Sequence, residues 1–169
     1  MPKAPEACDK RAVRAVLAVF ASLVISACAE PDPRFSTPEK TVESLFEAYG
    51  VADVPEREIQ RRLLMRERFE LVSRAAMLET FADYRVEEQE GLTGFVFGRL
   101  VARKASLTYD CSEKRCEVRP EGETDAPPVV IRKDGGEWKI VLAESVPPEV
   151  QRELLALHRR ADELRRRGR

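Results

Sequence analysis

Four cysteines and one histidine limit the chemistry available to this chain of 169 residues. Cys8 and Cys28 lie near the start of the chain, whereas Cys111 and Cys116 are separated by four residues in its second half. A Cys-x4-Cys pair is either half of a metal site or a disulfide. The sequence has no second closely spaced pair, and His158 lies far away in a polar segment. We therefore disfavour zinc and predict neither a metal ion nor a cofactor.

The residues around Cys111 and Cys116 alternate between apolar and polar, as half-buried strands do. In an antiparallel hairpin with the two cysteines opposite each other, apolar residues of both strands fall on one face. The other cross-strand pairs on that face are Tyr109 with Val118 and Leu107 with Pro120. This register predicts a disulfide between Cys111 and Cys116. Because the closed loop is short, the bond is expected to stabilise the fold by only about 2 kcal/mol.

Cys28 stands at the end of a short apolar run, Ala15 to Ala27, that follows a basic segment. The run suits the core of a signal peptide and is shorter than the roughly 20 residues of a membrane-spanning helix. One branched and two small residues, Ile25-Ser26-Ala27, come directly before the cysteine. A membrane anchor with an incidental cysteine is the competing interpretation. The end of the apolar run at Cys28, with Pro-Asp-Pro soon after, favours the signal peptide.

The sequence Ile25-Ser26-Ala27-Cys28 resembles the lipobox of bacterial lipoproteins. In that family the cysteine thiol accepts a diacylglyceryl group, and a peptidase cuts just before it. The resemblance implies a lipoprotein signal peptide at residues 1–27, lipidation of Cys28, and a lipidated tether at residues 28–35. It places the protein in the bacterial cell envelope, held on a membrane through Cys28. Since Ala29 rather than Asp follows the cysteine, the family's sorting pattern favours the outer membrane, facing the periplasm, over the inner membrane.

Helical patterns dominate residues 36–84. Thr37-Pro38-Glu39 has the residues of a helix start. A single apolar stripe follows, and Gly50 ends it; the stripe consists of Val42, Leu45, Phe46 and Tyr49. We predict a second helix from about Pro55 to Phe69 and a third from Glu70 to Tyr84. With neither Gly nor Pro between them, the sequence leaves open whether these two are continuous.

The pattern changes after Arg85. Gly91, Gly94 and Gly98 interrupt an aromatic stretch, which predicts a bulged strand or a loop. Residues 129–133 and 137–142 predict a second hairpin around the turn Asp134-Gly135-Gly136. A final amphipathic helix is predicted over residues 145–169. Its apolar stripe consists of Val150, Leu154, Leu157, Ala161 and Leu164.

The order of these elements resembles small bacterial lipoproteins of the nuclear transport factor 2-like superfamily. The resemblance covers about residues 36–142 and is carried by Thr-Pro-Glu-x-Thr-Val at 37–42 and Asp-Gly-Gly-x-Trp-Lys-Ile at 134–140. It implies an α+β domain over residues 36–144, with N-terminal helices packed on a curved antiparallel sheet around a cone-shaped cavity. The C-terminal amphipathic helix, 145–169, departs from the family pattern and is an addition to it.

Members of that superfamily range from isomerases and dehydratases to structural domains, so the fold does not fix the function. Candidate pocket groups in this chain are Tyr49, Asp83, Tyr84 and Tyr109, but each also suits an ordinary core or edge position. We therefore predict a lipid-anchored, non-enzymatic binding or scaffolding domain whose C-terminal helix contacts an envelope protein. A small-molecule binder or isomerase-like enzyme that uses the cone cavity is the alternative. A formal net charge of -1 provides no basic field for nucleic acid.

Overall fold

Helices and one four-stranded antiparallel sheet make up the computed structural model, which describes residues 30–83 and 90–168. The predicted α+β class is therefore confirmed. The signal peptide, Cys28 and Tyr84 lie outside the described residues. From Pro31 onward the chain forms one compact unit, which includes the C-terminal helix.

The first residues that the structure describes are hydrogen-bonded to the rest of the domain. The backbone N–H of Asp32 donates to the Glu137 carboxylate at 2.9 Å. Arg34 then forms ion pairs with Asp32 and with Glu79, at 2.6 and 2.9 Å. A short 3-10 turn, Pro33–Phe35, buries Phe35 and leads into the first helix.

Helix α1, Pro38–Ala48, begins as predicted. The side chain of Thr37 accepts a hydrogen bond from the N–H of Lys40 and so satisfies one free donor of the first turn. The apolar stripe that defines the helix in the sequence is buried in the core at Val42, Leu45 and Phe46. Through this stripe α1 packs against strand β4 (Glu137–Ile140) and against helix α4 (Glu90–Val101).

The predicted second and third helices are two separate helices, α2 (Glu56–Leu64) and α3 (Arg74–Glu79). The predicted span of the third helix is 70–84. Within the described residues, helix α3 is shorter than this span. Ser73 starts it by accepting a hydrogen bond from the N–H of Ala76. After Glu79 the chain leaves the helix, and Phe81 forms a parallel bridge with Ile140. This short segment therefore covers the outer edge of β4, which the helical pattern alone did not reveal.

The prediction of a bulged strand or loop at residues 91–98 is wrong, because these residues belong to helix α4. Two rows of side chains spaced four residues apart are buried along α4. They consist of Leu92, Val96 and Leu100 in one row, and Thr93, Phe97 and Val101 in the other. Burial of both rows against α1, strand β2 (Arg115–Pro120) and the C-terminal helix overrides the low helix propensity of three glycines.

The sheet has the order β1-β2-β3-β4, with β1 at Leu107–Cys111 and β3 at Val129–Asp134. The predicted register of the first hairpin is confirmed, with Cys111 opposite Cys116 and Tyr109 opposite Val118. The second hairpin is also confirmed, but its second strand ends at Ile140 rather than at residue 142. Its turn uses Gly135 and Gly136, whose φ angles of 57° and 94° match the left-handed conformation that tight hairpin turns require.

The two faces of the sheet differ in polarity. On the inner face, Cys116, Ile131 and Ile140 lie in adjacent registered positions and are fully buried against the helices. The outer face is charged, and Arg115, Glu117 and Arg119 alternate there along β2. This alternation is what an antiparallel sheet with one solvated face requires.

The chain ends in two helices. Helix α5, Leu142–Ser145, was not predicted and folds against β3, where Ser145 Oγ accepts a hydrogen bond from the N–H of Val130. Helix α6, Pro148–Arg167, is the predicted amphipathic helix and starts three residues later than predicted. Of the helices that the structure describes, none has the length and apolar character needed to cross a bilayer.

Candidate interaction surfaces

The pocket groups suggested by the sequence have separate structural surroundings. Both carboxylate oxygens of Asp83 accept backbone hydrogen bonds, from Leu142 at 2.8 Å and from Ala143 at 2.9 Å. Asp83 therefore caps helix α5, which accounts for its position without a catalytic role. The ring of Tyr49 stacks on Phe97 with 3.8 Å between the ring centroids. Tyr84 lies outside the described residues.

Tyr109 is half-buried on strand β1. Burial raises the pKa of its phenol from 10.0 to about 12, and the nearby carboxylates of Glu39 and Glu43 act in the same direction. With a higher pKa, a smaller fraction of Tyr109 is in the phenolate form at neutral pH. The environment therefore works against Tyr109 as a general base.

The inner face of the sheet is packed with side chains. Val118, Val129 and Ile131 are fully buried, and the Trp138 side chain lies in the same cluster. The helical layer thus contacts the surface on which the family resemblance expects a cone-shaped cavity. Across residues 30–83 and 90–168, no three His, Cys, Asp or Glu side chains are grouped as metal ligands would be.

The first hairpin carries the predicted disulfide. The sulfur atoms of Cys111 and Cys116 are joined, with Cys116 buried in the core and Cys111 exposed. The turn between them is closed by Ser112, whose N–H donates to the carbonyl of Arg115 at 2.7 Å. The bond therefore joins the ends of two strands that are already paired in register.

The charged outer face of the sheet is balanced internally. Glu144 on α5 forms ion pairs with Arg115 and Arg132, and Glu117 forms ion pairs with Arg115 and Arg119. Hydrogen bonds from these guanidinium groups lower the pKa of both glutamates. Because each of these arginines already pairs with a carboxylate, this face is a poor candidate for binding an external anion.

Helix α6 changes environment along its length. In its first half, Val150 and Leu154 are half-buried, and Leu154 packs over Gly91 of α4. From the middle of the helix onward, Leu157 and Leu164 are 59% and 70% exposed. We call Leu157, Ala161 and Leu164 the α6 stripe. It continues the heptad-like spacing of Val150 and Leu154, with both leucines exposed and Ala161 half-buried.

A second apolar surface lies beside helix α4. Tyr49, Leu63, Phe69 and Phe97 line an open groove of about 370 Å³, together with two glycines and three charged residues. The glycines are Gly94 and Gly98, and the charged residues are Arg66, Glu67 and Arg68. We call this set the aromatic groove. The sequence does not reveal this groove, because the glycines of residues 91–98 predict a strand or loop there. Two glycines at a spacing of four would have been the available signal.

Comparison with known proteins assigns no ligand or partner to either surface. No protein-family model, curated protein or solved structure matches this chain.

Proposed function

We propose that this chain is a lipid-anchored lipoprotein of the bacterial cell envelope that acts as a non-enzymatic binding or scaffolding domain. The anchor is supported by the sequence Ile25-Ser26-Ala27-Cys28 at the end of the apolar run. In this proposal Cys28 carries the lipid, and the domain faces the periplasm from the outer membrane. Two or more acyl chains would hold it stably, since one chain alone gives only marginal binding.

The observation that carries the binding role is the exposure of the α6 stripe. Leu157 and Leu164 follow the same helical spacing as Val150 and Leu154, which pack against the domain. Large exposed leucines in register with a buried seam are typical of a helix that packs against another helix. We therefore place the partner, an envelope protein that offers an apolar helical or sheet surface, on the second half of α6.

The surroundings of the candidate catalytic groups favour a binding domain over an enzyme. Asp83 caps α5, Tyr49 stacks on Phe97, and burial of Tyr109 stabilises its neutral phenol. The three side chains thus serve separate parts of the fold. A purified domain that turned over a small substrate, and lost that activity on Tyr109→Phe or Asp83→Asn, would overturn the non-enzyme proposal.

The anchor is tested by mass spectrometry of the protein from the membrane fraction. We expect a mature chain that begins at an acylated Cys28. A protein that retains Met1 and carries no acyl group would contradict the anchor. Cys28→Ala should prevent acylation, and washing the membranes with carbonate and then detergent distinguishes lipid anchoring from retention by an uncleaved signal peptide.

The partner surface is tested by a photo-crosslinking amino acid at Ala161 in living cells. We expect a discrete crosslinked protein that disappears in the Leu157→Gln/Leu164→Gln double variant. Glu163→Gln is the matched control, since it places the same side chain next to the stripe. A crosslink that survives the double variant, or that disappears equally in the control, would refute the α6 stripe as the binding surface.

A further inference from the structure

The floor of the aromatic groove is built from three stacked or edge-on rings. Tyr49 lies parallel to Phe97, with an interplanar angle of 15°, and Phe69 meets Phe97 edge-on with 5.5 Å between centroids. Phe97 is itself buried in the core, so the floor is fixed by the fold. Leu63 adds an aliphatic side chain to the lining.

The groove is open over helix α4 because two of the helix residues that line it are glycines. Gly94 and Gly98 lie one helical turn apart, and a Cβ atom at either position would meet no atom within 4 Å. Glycine within a helix destabilises it relative to alanine. Since the described neighbours leave the space empty, packing does not require glycine at either position, and the open floor is available to a ligand.

Uncompensated positive charge lies on the rim of the groove. Arg66 and Arg68 line it, and neither forms an ion pair with any of the described residues. Glu67, which lies between them in the chain, is paired with Arg61 at 2.9 Å. Within the described part of the chain, the rim therefore offers two guanidinium groups without an ion-pair partner above an apolar floor. Guanidinium groups bind carboxylates through paired, charge-assisted hydrogen bonds.

We propose that the aromatic groove binds a free single-chain amphiphile with a carboxylate head group, of the fatty-acid class. The carboxylate binds Arg66 and Arg68, and the alkyl chain lies over the rings and along Gly94 and Gly98. A volume of about 370 Å³ suits a ligand of this size.

Two apolar residues that follow Leu63 in the chain are also exposed, Leu64 at 82% and Met65 at 67%. This site goes beyond the proposed function, because neither Cys28 nor the α6 stripe takes part in it.

The test uses residues 28–169 with Cys28→Ser, which retains the whole compact unit that begins at Pro31 and removes any lipid of its own. Isothermal titration calorimetry with laurate, below its micelle concentration, should give one site per chain. Dodecanol, which has the same chain and a neutral head, should bind at least about tenfold more weakly if the guanidinium groups hold the head.

One variant tests the apolar floor of the groove, and another tests the guanidinium groups on its rim. Gly98→Leu should abolish laurate binding by filling the groove. Arg66→Gly/Arg68→Gln should weaken laurate binding about tenfold or more and leave dodecanol binding unchanged. Glycine suits position 66, where φ is 55°, so the double variant keeps the backbone geometry. Arg152→Gln, an exposed charge change on α6, is the control and should bind laurate as the parent does.

Several results would overturn the proposal. They are absence of laurate binding, equal binding of dodecanol, and insensitivity to the Arg66/Arg68 double variant. Binding to phosphatidylglycerol vesicles without binding of monomeric laurate would indicate a bilayer-docking surface instead. Thermal melting of Gly98→Leu accompanies the titration. If that variant is unfolded, laurate binding by the Arg66/Arg68 double variant alone tests the proposal.

Discussion

The hydroxyl of Thr41 donates a hydrogen bond to the carbonyl oxygen of Trp138 across 2.7 Å, and Thr41 is fully buried. This contact joins helix α1 to strand β4, two elements almost a hundred residues apart in the chain. It also joins the two short motifs of the sequence, Thr-Pro-Glu-x-Thr-Val and Asp-Gly-Gly-x-Trp-Lys-Ile. The two motifs therefore share a structural role, since their contact holds the helical layer on the sheet.

Thr41→Val should reduce the free energy of unfolding by about 1–3 kcal/mol, because it leaves a buried carbonyl of Trp138 without its donor. Valine has nearly the same shape, so the loss reports the hydrogen bond rather than a cavity. Urea denaturation measures it. Thr108→Val is the control, because its hydroxyl bonds Arg119 on the exposed side of β1, and it should change stability by less than about 0.5 kcal/mol.

Helix α6 should respond differently to the same substitution in its two halves. Leu154→Asp places a charge where the side chain packs over Gly91 and should destabilise the domain by about 2–4 kcal/mol. Leu157→Asp lies on exposed helix and should leave the melting temperature nearly unchanged. Calorimetry of both variants makes the comparison. An equal loss of stability in both would mean that the α6 stripe packs internally, against the proposed partner surface.

Reduction of the disulfide should have a modest effect. Because Cys111 and Cys116 are five positions apart, opening the bond should reduce stability by about 2 kcal/mol on the chain-entropy model. The Cys111→Ala/Cys116→Ala variant should lose somewhat more, since it also removes a buried sulfur from the core. Alkylation of unfolded, unreduced protein from cells counts the thiols. Two free thiols from this hairpin would contradict the bond.

The raised pKa of Tyr109 predicts a loss of stability at alkaline pH. The folded state holds the phenol proton up to about pH 12, whereas the unfolded chain releases it near 10.0. The stabilisation is therefore complete below pH 10 and is lost as pH rises towards 12. Urea midpoints measured across this range should fall more steeply for the parent than for Tyr109→Phe. Parallel curves for the two proteins would show that the phenol is not perturbed by the fold.

Alanine substitutions at two glycines should distinguish a position with room for a side chain from a position without it. Gly94→Ala should raise the free energy of unfolding by about 0.5–1 kcal/mol, because helix propensity improves and no neighbour obstructs the new Cβ. Gly136→Ala should do the opposite, since its φ is 94° and its Cβ would lie 2.9 Å from Pro31. Destabilisation by Gly94→Ala would mean that the groove floor is occupied or distorted in the folded protein.

Helix α1 and both hairpins could be predicted from the sequence because their signals are local. Thr37 and Pro38 mark a helix start, and the Asp134-Gly135-Gly136 turn fixes the register of the second hairpin. Helix α4 could not be predicted in the same way, because Gly91, Gly94 and Gly98 favour other conformations. Its helical state depends on burial of Val96 and Leu100 by elements distant in sequence.

The C-terminal end of α3 could not be predicted from local sequence either. Thr80 and Phe81 continue a helical apolar pattern, but the free edge of β4 offers hydrogen bonds that compete with the helix. Ile140 donates its N–H to Thr80 and accepts from Ala82, both at 2.9 Å. The aromatic groove likewise combines separate parts of the chain, since it is lined by α4, by Tyr49 after α1, and by Leu63 with the loop that follows α2. No single stretch of sequence contains it.

In the proposed lipoprotein, the hydrogen bond from Asp32 to Glu137 limits how far the domain can lie from a lipid on Cys28. With Asp32 held at the end of the sheet, four peptide links separate it from Cys28, and they span at most about 14 Å when fully extended. A lipid on Cys28 would thus keep the domain within about its own radius of the bilayer. Whatever binds it would have to come to the membrane surface, and two copies in one leaflet would meet mainly by lateral diffusion.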